Sequence, residues 1–463
     1  MEEVDVVIVG AGPAGIATSA CLNHLNISNV VIEREDSYAS LWRKRSYDRL
    51  KLHLAKQFCE LPYMPFPPNY PRYLSKNEFV QYLEAYVSHF KITPRYDRVV
   101  ETASYVGEKK WCVRVHNTLS DVQEMYLAKF LVVASGENSE GYIPQVEGLN
   151  SFKGEFVHSS EYENGKKYDG KNVLVVGSGN SGMEIAYDLT NWGANTSIVV
   201  RSPVHILTKE IVFLGMVLAK YLPLKVLDNI VVILGKLKFG DLSKYGLTRP
   251  KLGPFFLKEN EGQAPIIDVG SINKIIAGEI KVVPSITKIL RNQIKFENGY
   301  SNHYDAIVFA TGYKSTVLNW LKDGDQLFND NGMPKHSFPN HWKAEKGLYS
   351  AGFSRRGLFG ISIDARNIAD DISFALNQNK KIGKPAAAQN CDEADTINGE
   401  AEANLKRVRD EEGSDGNDAK KMKVEKSPEE ERLEEKLGEG KNSGRVRLGP
   451  KSFGSSVEMF DYF

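Results

Sequence analysis

Two glycine clusters hold the residue types and spacing best suited to chemistry through a bound group. Gly10-Ala11-Gly12-Pro13-Ala14-Gly15 follows the apolar run VDVVIVG, and Gly177-Ser178-Gly179-Asn180-Ser181-Gly182 follows NVLVVG. In this pattern the first glycine permits a tight turn and the second lets backbone approach a pyrophosphate. The third lets the next helix pack closely, with its N-terminus facing the phosphates. Glu33 stands 23 residues after Gly10, at the end of the next apolar run, where a carboxylate accepts hydrogen bonds from a ribose 2′-hydroxyl. Arg201 stands 24 residues after Gly177, and no acidic residue takes that place. A guanidinium binds a 2′-phosphate with paired hydrogen bonds, whereas a carboxylate repels it. The first cluster therefore suits FAD and the second NADPH, with hydride passing from nicotinamide to flavin.

The rest of the sequence narrows where the electrons go. The four cysteines (Cys21, Cys59, Cys112 and Cys391) form no C-x-x-C or C-x(4)-C pair. That opposes a zinc site, an iron–sulfur site and a redox disulfide between sequence neighbours. No metal is expected, and dioxygen or a small molecule remains as acceptor. Formal net charge is zero, so no global field points to nucleic acid or to an anionic membrane.

The elements that must position these clusters read as α/β. Strand, glycine turn, helix and strand succeed one another in VDVVIVG, AGPAG, IATSACLNHL and NVVIERE, and the same grammar restarts at Lys171. LAKFLVVASG (127–136) and DAIVFATGY (305–313) read as further buried strands ending at glycines, and Asp364–Asn377 as a helix. Pro62, Pro65, Pro67, Pro68 and Pro71 exclude regular structure between them. The expected plan is two Rossmann-like dinucleotide-binding domains, one inserted in the other. The FAD domain takes residues 1–165 and 300–385, and the NADPH domain takes 166–299.

Residues 386–463 read as a disordered tail, because so few apolar residues cannot offset the entropy of ordering. KR at 406–407 and KKMK at 420–423 have bipartite nuclear-signal spacing, and a solvated charged tail is the plainer reading. The apolar stretch 211–234 is interrupted by Lys220, Pro223, Lys225 and Asp228, which opposes a spanning helix of about 20 apolar residues. It reads as two packed helices, with a surface-seeking hairpin as the alternative. A strand beginning almost at Met1 leaves no room for a cleaved leader, so a cytoplasmic location is expected.

FKGEFVHSSEY (152–162) lies between the two clusters and fits F-x-G-x-x-x-H-x-x-x-Y through Phe152, Gly154, His158 and Tyr162. It resembles the identifying segment of class B flavin-dependent monooxygenases, which in that family joins the two domains and helps hold NADP⁺. By itself, His158 reads as a hydrogen-bonded hinge residue. LWRKRSYDRLKLHLAKQFCELPYMPFP (41–67), ASGEN (134–138), GSGNSGMEIAYDL (177–189), YDAIVFATGY (304–313) and GLFGISIDARNIADDI (357–372) resemble the plant YUCCA branch, the indole-3-pyruvate monooxygenases of auxin synthesis. The resemblance covers residues 1–385, with departures at RYLSK (72–76) and at Ser178.

It implies an NADPH- and O2-dependent oxidative decarboxylation of a 2-oxo acid through a C4a-(hydro)peroxyflavin. It adds Trp42, Ala310, Thr311 and Gly312 as cofactor contacts, and it places His53 near the flavin's reactive edge. The other reading of His53 is a core histidine between Leu52 and Leu54. General N- or S-oxygenation, a pyridine-nucleotide disulfide reductase and a degenerate fold acting through its tail are the alternatives. The end of the chain, 444–463, resembles the lead-in to the plant DCL family and breaks off where a folded domain would start. That implies a fusion remnant or a gene-model artefact.

Overall fold

The computed structural model describes residues 1–382. The tail at 386–463, its basic clusters and its DCL-like end lie outside the described residues.

Two sheets carry the fold. In the first, Glu2–Val9 is central and parallel to Asn29–Ile32 on one side and to Val122–Val133 on the other. Val6, Val7 and Ile8 are fully buried, as a parallel strand covered on both faces requires. The glycine turn and the helix Pro13–His24 follow directly, with proline at the first helical position, where its missing N–H costs nothing.

The far side of this sheet is an antiparallel meander of Arg98–Val106, Lys110–Asn117 and Val122–Val133. Its pattern has period two. Trp111, Val113 and Val115 point into the core, while Cys112, Arg114 and His116 alternate with them outside it. Leu348–Ser350 completes the sheet, pairing parallel with the end of Val122–Val133.

The second sheet is wholly parallel, in the order Ile280–Val283, Asn195–Val199, Asn172–Val176, Ala306–Phe309, Glu155–His158. Two of these strands fall outside the stretch 166–299 expected for the second domain. Ala306–Phe309 hydrogen-bonds to Asn172–Val176 and to Glu155–His158, so both strands belong to the second sheet. The chain passes between the sheets at two adjacent crossings, where Gly141 pairs with Tyr313 and Glu140 with Lys314.

The stretch 211–234 forms part of the two helices Lys209–Leu218 and Leu224–Phe239, separated at Pro223. Among the described residues, no helix is long and apolar enough to cross a membrane. The expected helix at 364–377 is the middle of Gly357–Ile382. Only short turns interrupt the proline-rich loop before the helix Lys76–His89. That helix starts at a reciprocal cap, in which Ser75 Oγ accepts from the Glu78 amide and Glu78 Oε2 accepts from the Ser75 amide.

Candidate active site

The two glycine clusters adopt one geometry. Gly10 has φ +107° and Gly177 φ +114°, in the region open mainly to glycine. A Cβ on Gly10 would lie 2.6 Å from the Ala134 carbonyl oxygen, and one on Gly177 would lie 2.4 Å from that of Ala310. A Cβ on Gly15 would lie 1.9 Å from the Gly10 oxygen, and one on Gly182 would lie 1.9 Å from the Gly177 oxygen. By contrast, Gly12 and Gly179 have nothing within 4 Å of such an atom, so their backbones face open space. A cradle closed behind and open in front is what close approach to a pyrophosphate needs. Ala11 and Gly15 are buried behind the first loop, and Ser178 is half-buried at the second.

Ala310 and its neighbours lie at the second glycine loop. They follow the second sheet's strand Ala306–Phe309, and Ala310 packs beneath Gly177 as Ala134 packs beneath Gly10. The Thr311 hydroxyl donates to the Tyr142 carbonyl at the crossing, and Gly312 takes φ +84°. These residues therefore brace the second loop and the crossing.

Glu33 is buried with both oxygens engaged. Its Oε2 accepts from the Ala11 amide at 2.6 Å and its Oε1 from the Glu35 amide at 3.0 Å. Burial pushes its pKa up, opposed by these two amides. An ionised carboxylate keeps further lone pairs, so ribose hydroxyls can still be accepted. Arg201 is exposed, two residues beyond the end of Asn195–Val199.

A cavity of about 1070 Å³ runs along the first loop. It gathers Gly10, Gly12, Pro13, Ala14, Glu33 and Trp42, and reaches Ser181 and His53. Trp42 is held edge-on by Phe79 at 4.6 Å between ring centres. A second cavity of about 570 Å³ is lined by His53, Asn180, Phe255, Lys258, Phe353 and Arg355, among others. His53 and Gly357 line both, so the two spaces meet there. Asn180 is engaged, with its Nδ2 donating to the Pro265 carbonyl and its Oδ1 accepting from the Ile267 amide. Gly177, Ser178, Gly179, Arg201 and 310–312 line neither cavity.

His53 is fixed from behind by residues that the sequence reading did not single out. Its Nε2 donates to Glu184 Oε1 at 2.8 Å, and the Tyr47 hydroxyl donates to Glu184 Oε2 at 3.0 Å. Glu184 is buried in the helix Asn180–Asn191, one turn from the second glycine loop. Burial, then the Glu184 charge, push the Tyr47 phenol well above its ordinary range, so it stays a donor. A buried carboxylate with two donors is satisfied rather than stranded. Leu52 is buried beside His53, but the imidazole itself reaches both cavities.

The segment 152–162 is a set of clips on the second sheet. Phe152 packs among Leu174, Ile289 and Phe309. Gly154 is required by closeness, since a Cβ there would lie 2.2 Å from the Asp305 carbonyl oxygen. His158 Nε2 donates to the Gly312 carbonyl at 2.9 Å, which leaves Nδ1 to accept from the Ser160 hydroxyl at 2.9 Å and its amide at 3.2 Å. Burial pushes His158 below the ordinary histidine range, which keeps that neutral tautomer. The Tyr162 hydroxyl donates to Asp188 Oδ2 at 2.7 Å, on the same helix as Glu184. These bonds tie His158 to the crossing at Gly312.

Cys21, Cys59 and Cys112 are free, and burial pushes the Cys21 and Cys59 thiols up to about 12. Such thiols are poor nucleophiles. No group of three or more potential metal ligands gathers among the described residues.

One mixed and one wholly parallel sheet, with paired dinucleotide-type loops and adjoining cavities, define a flavoprotein oxidoreductase fold. Residues 3–343 match the family described as flavin-binding monooxygenase-like, and the chain belongs to that family. It is 55% identical over 376 residues to the probable indole-3-pyruvate monooxygenase YUCCA10 of Arabidopsis thaliana, covering 81% of this chain and 98% of that one. Among solved structures, the flavin-containing monooxygenase from Stenotrophomonas maltophilia shares the fold with a TM-score of 0.62 at 21% identity, over 81% of this chain and all of that one. OTEMO in complex with FAD and NADP aligns with a TM-score of 0.65 at 17% identity, over 81% and 85% of the two chains.

Proposed function

We propose that this protein is an NADPH- and O2-dependent monooxygenase that converts indole-3-pyruvate to indole-3-acetate by oxidative decarboxylation. The balance is indole-3-pyruvate, NADPH, a proton and O2 giving indole-3-acetate, CO2, NADP⁺ and water. The observation that carries this reading is the meeting of a long nucleotide-sized cavity with a smaller, mostly apolar one at His53 and Gly357. The likeness to indole-3-pyruvate monooxygenases over most of the chain supports the substrate.

The residues present fit FAD at the first loop. Gly12 leaves the phosphate approach open, Glu33 offers free lone pairs, and Trp42 stands along the cavity wall. The second loop fits NADPH, with Gly179 open and Arg201 exposed for the 2′-phosphate. When bound, the two cofactors supply hydride transfer and dioxygen activation. The chain's own work is to bind, orient and exclude water. Ala134 and Ala310 brace the two loops from below. Glu184, itself bonded by Tyr47, holds the Nε2 of His53, so the imidazole is fixed where the cavities join. The segment 152–162 clips the crossing to the second sheet.

The location is proposed as cytoplasmic. Peripheral membrane contact is supported by the exposed Tyr221, Ile233 and Leu237, the last two on the same helix as Lys236 and Lys238. Sedimentation with anionic vesicles tests it, and no co-sedimentation would discard it.

The test of the activity is aerobic NADPH consumption with indole-3-pyruvate, with indole-3-acetate quantified by mass spectrometry. Product equal to NADPH consumed is expected. NADPH loss yielding only hydrogen peroxide, or faster turnover of an amine or sulfide, would overturn the substrate assignment.

A further inference from the structure

The smaller cavity has two chemical halves. Val212, Met216, Phe255 and Phe353 supply apolar wall. Three cations, Lys258, Arg355 and Arg356, line the opposite chemistry. Arg356 is taken up by the protein, because its guanidinium reaches Glu259 at 3.0 Å and lies 3.7 Å over the Phe338 ring. Lys258 and Arg355 make no hydrogen bond or ion pair with any of the described residues. Lys258 is half-buried on the helix Pro254–Glu261, and Arg355 is exposed just before the helix Gly357–Ile382.

The Glu137 carboxylate acts on both cations without bonding to either, and two cations facing one space attract a further anion. Burial pushes the Lys258 ammonium below the ordinary lysine range; Glu137, on the wall of the larger cavity, opposes that and Arg355 adds to it. Arg355 also sits at φ +58°, in the left-handed region that non-glycine residues rarely occupy. A side chain held in a costly backbone conformation at a cavity wall is a mark of function.

We infer that Lys258 and Arg355 bind the carboxylate of an aromatic 2-oxo acid whose ring lies against the apolar wall. The inference rests on the substrate reading above and adds residues that determine specificity. An anionic head and an aromatic body match the two halves of the cavity, whereas an uncharged amine or sulfide would form no charge-assisted bond with either cation. A nucleotide phosphate is the other anion within reach, but the phosphate cradle proper is the glycine loop, whose Gly179 faces open space.

The test uses the full-length flavin-loaded protein and two probes of one shape, indole-3-acetate and its neutral amide. Binding is read from the perturbation of flavin absorbance, which needs no turnover. The wild type is expected to prefer the acid by about tenfold to a hundredfold, the range for a charge-assisted pair. Lys258→Met should remove most of that preference, and Lys258→Arg should keep it. Arg355→Asn, which tolerates the left-handed backbone, should weaken it less because Arg355 is more exposed. The KM for NADPH should stay within about twofold throughout. Equal binding of the two probes by the wild type would overturn the inference. So would an acid preference surviving in both variants, or a rise in the NADPH KM with the acid preference intact. An intact acid preference in a protein that fails to turn over indole-3-pyruvate would sink the substrate reading and leave the anion site standing.

Discussion

At the first glycine loop, a Cβ on Gly15 would stand 1.9 Å from the Gly10 carbonyl oxygen; at the second, one on Gly182 would stand 1.9 Å from that of Gly177. Each loop rests on an alanine that ends a strand, Ala134 in one sheet and Ala310 in the other. One turn geometry is thus built twice. The surroundings differ. The first loop opens on the cavity of about 1070 Å³ with a buried carboxylate, Glu33, bonded to its Ala11 amide. The second has an exposed arginine at the matching distance and shares Asn180 and Ser181 with the two cavities. Backbone geometry fixes that a pyrophosphate can be bound, and the residue past the next strand fixes which nucleotide carries it.

Paired substitutions would break this comparison most sharply. Gly15→Ala must displace backbone, so the protein is expected to purify colourless or misfolded, a loss on the scale of about 4 kcal/mol or more. Gly182→Ala meets the same obstacle but away from the flavin. It should stay yellow while its NADPH oxidation falls by at least about a hundredfold. Loss of flavin from Gly182→Ala, measured by absorbance after desalting, would contradict the division of labour.

Next in size is the choice between nucleotides. Arg201→Ala should lower kcat/KM for NADPH by about tenfold to a hundredfold and leave that for NADH nearly unchanged, as steady-state kinetics with both donors would show. An unchanged NADPH value would remove Arg201 from the site.

The contact between the two halves gives smaller effects. His53→Ala should keep NADPH oxidation within about tenfold of wild type while diverting much of it to hydrogen peroxide. Glu184→Gln should do the same more weakly, because an amide still accepts from the imidazole on one side. Peroxide measured against NADPH consumed reports both, and unchanged coupling in both variants would leave the cluster purely structural.

The smallest effect concerns His158. Its folded form favours the neutral ring, so the unfolded chain takes up the proton first as pH falls below about 6.5. Stability from this residue is present above that pH and lost below it, down to its depressed folded value. Thermal melts between neutral and mildly acidic pH should show a wild-type loss of Tm exceeding that of His158→Gln by about 1–3 °C. Equal losses would count against the neutral clip.

Much of this was legible in the sequence because it is local. The two loops, Glu33, the strands beside them and the segment 152–162 are each set by spacing within a few tens of residues. What the sequence reading missed depends on distant partners. Glu184 is one of two acidic residues in GMEIAYDL, yet it bonds to His53, 131 residues away. Strand Ala306–Phe309 has the same pattern whichever sheet it joins, and only its pairing with Asn172–Val176 and Glu155–His158 puts it in the second sheet. Lys258 and Arg355 stand out only once the cavity is closed around them. The meander was a different kind of miss, since the alternation in WCVRVHN carries its period openly.

The most direct test is anaerobic rapid mixing of the purified yellow protein with NADPH and, separately, with NADH. The two-loop account predicts that NADPH bleaches the flavin's visible absorbance stoichiometrically and fast, while NADH does so far more slowly. Equal bleaching by both donors, or none by NADPH, would contradict it.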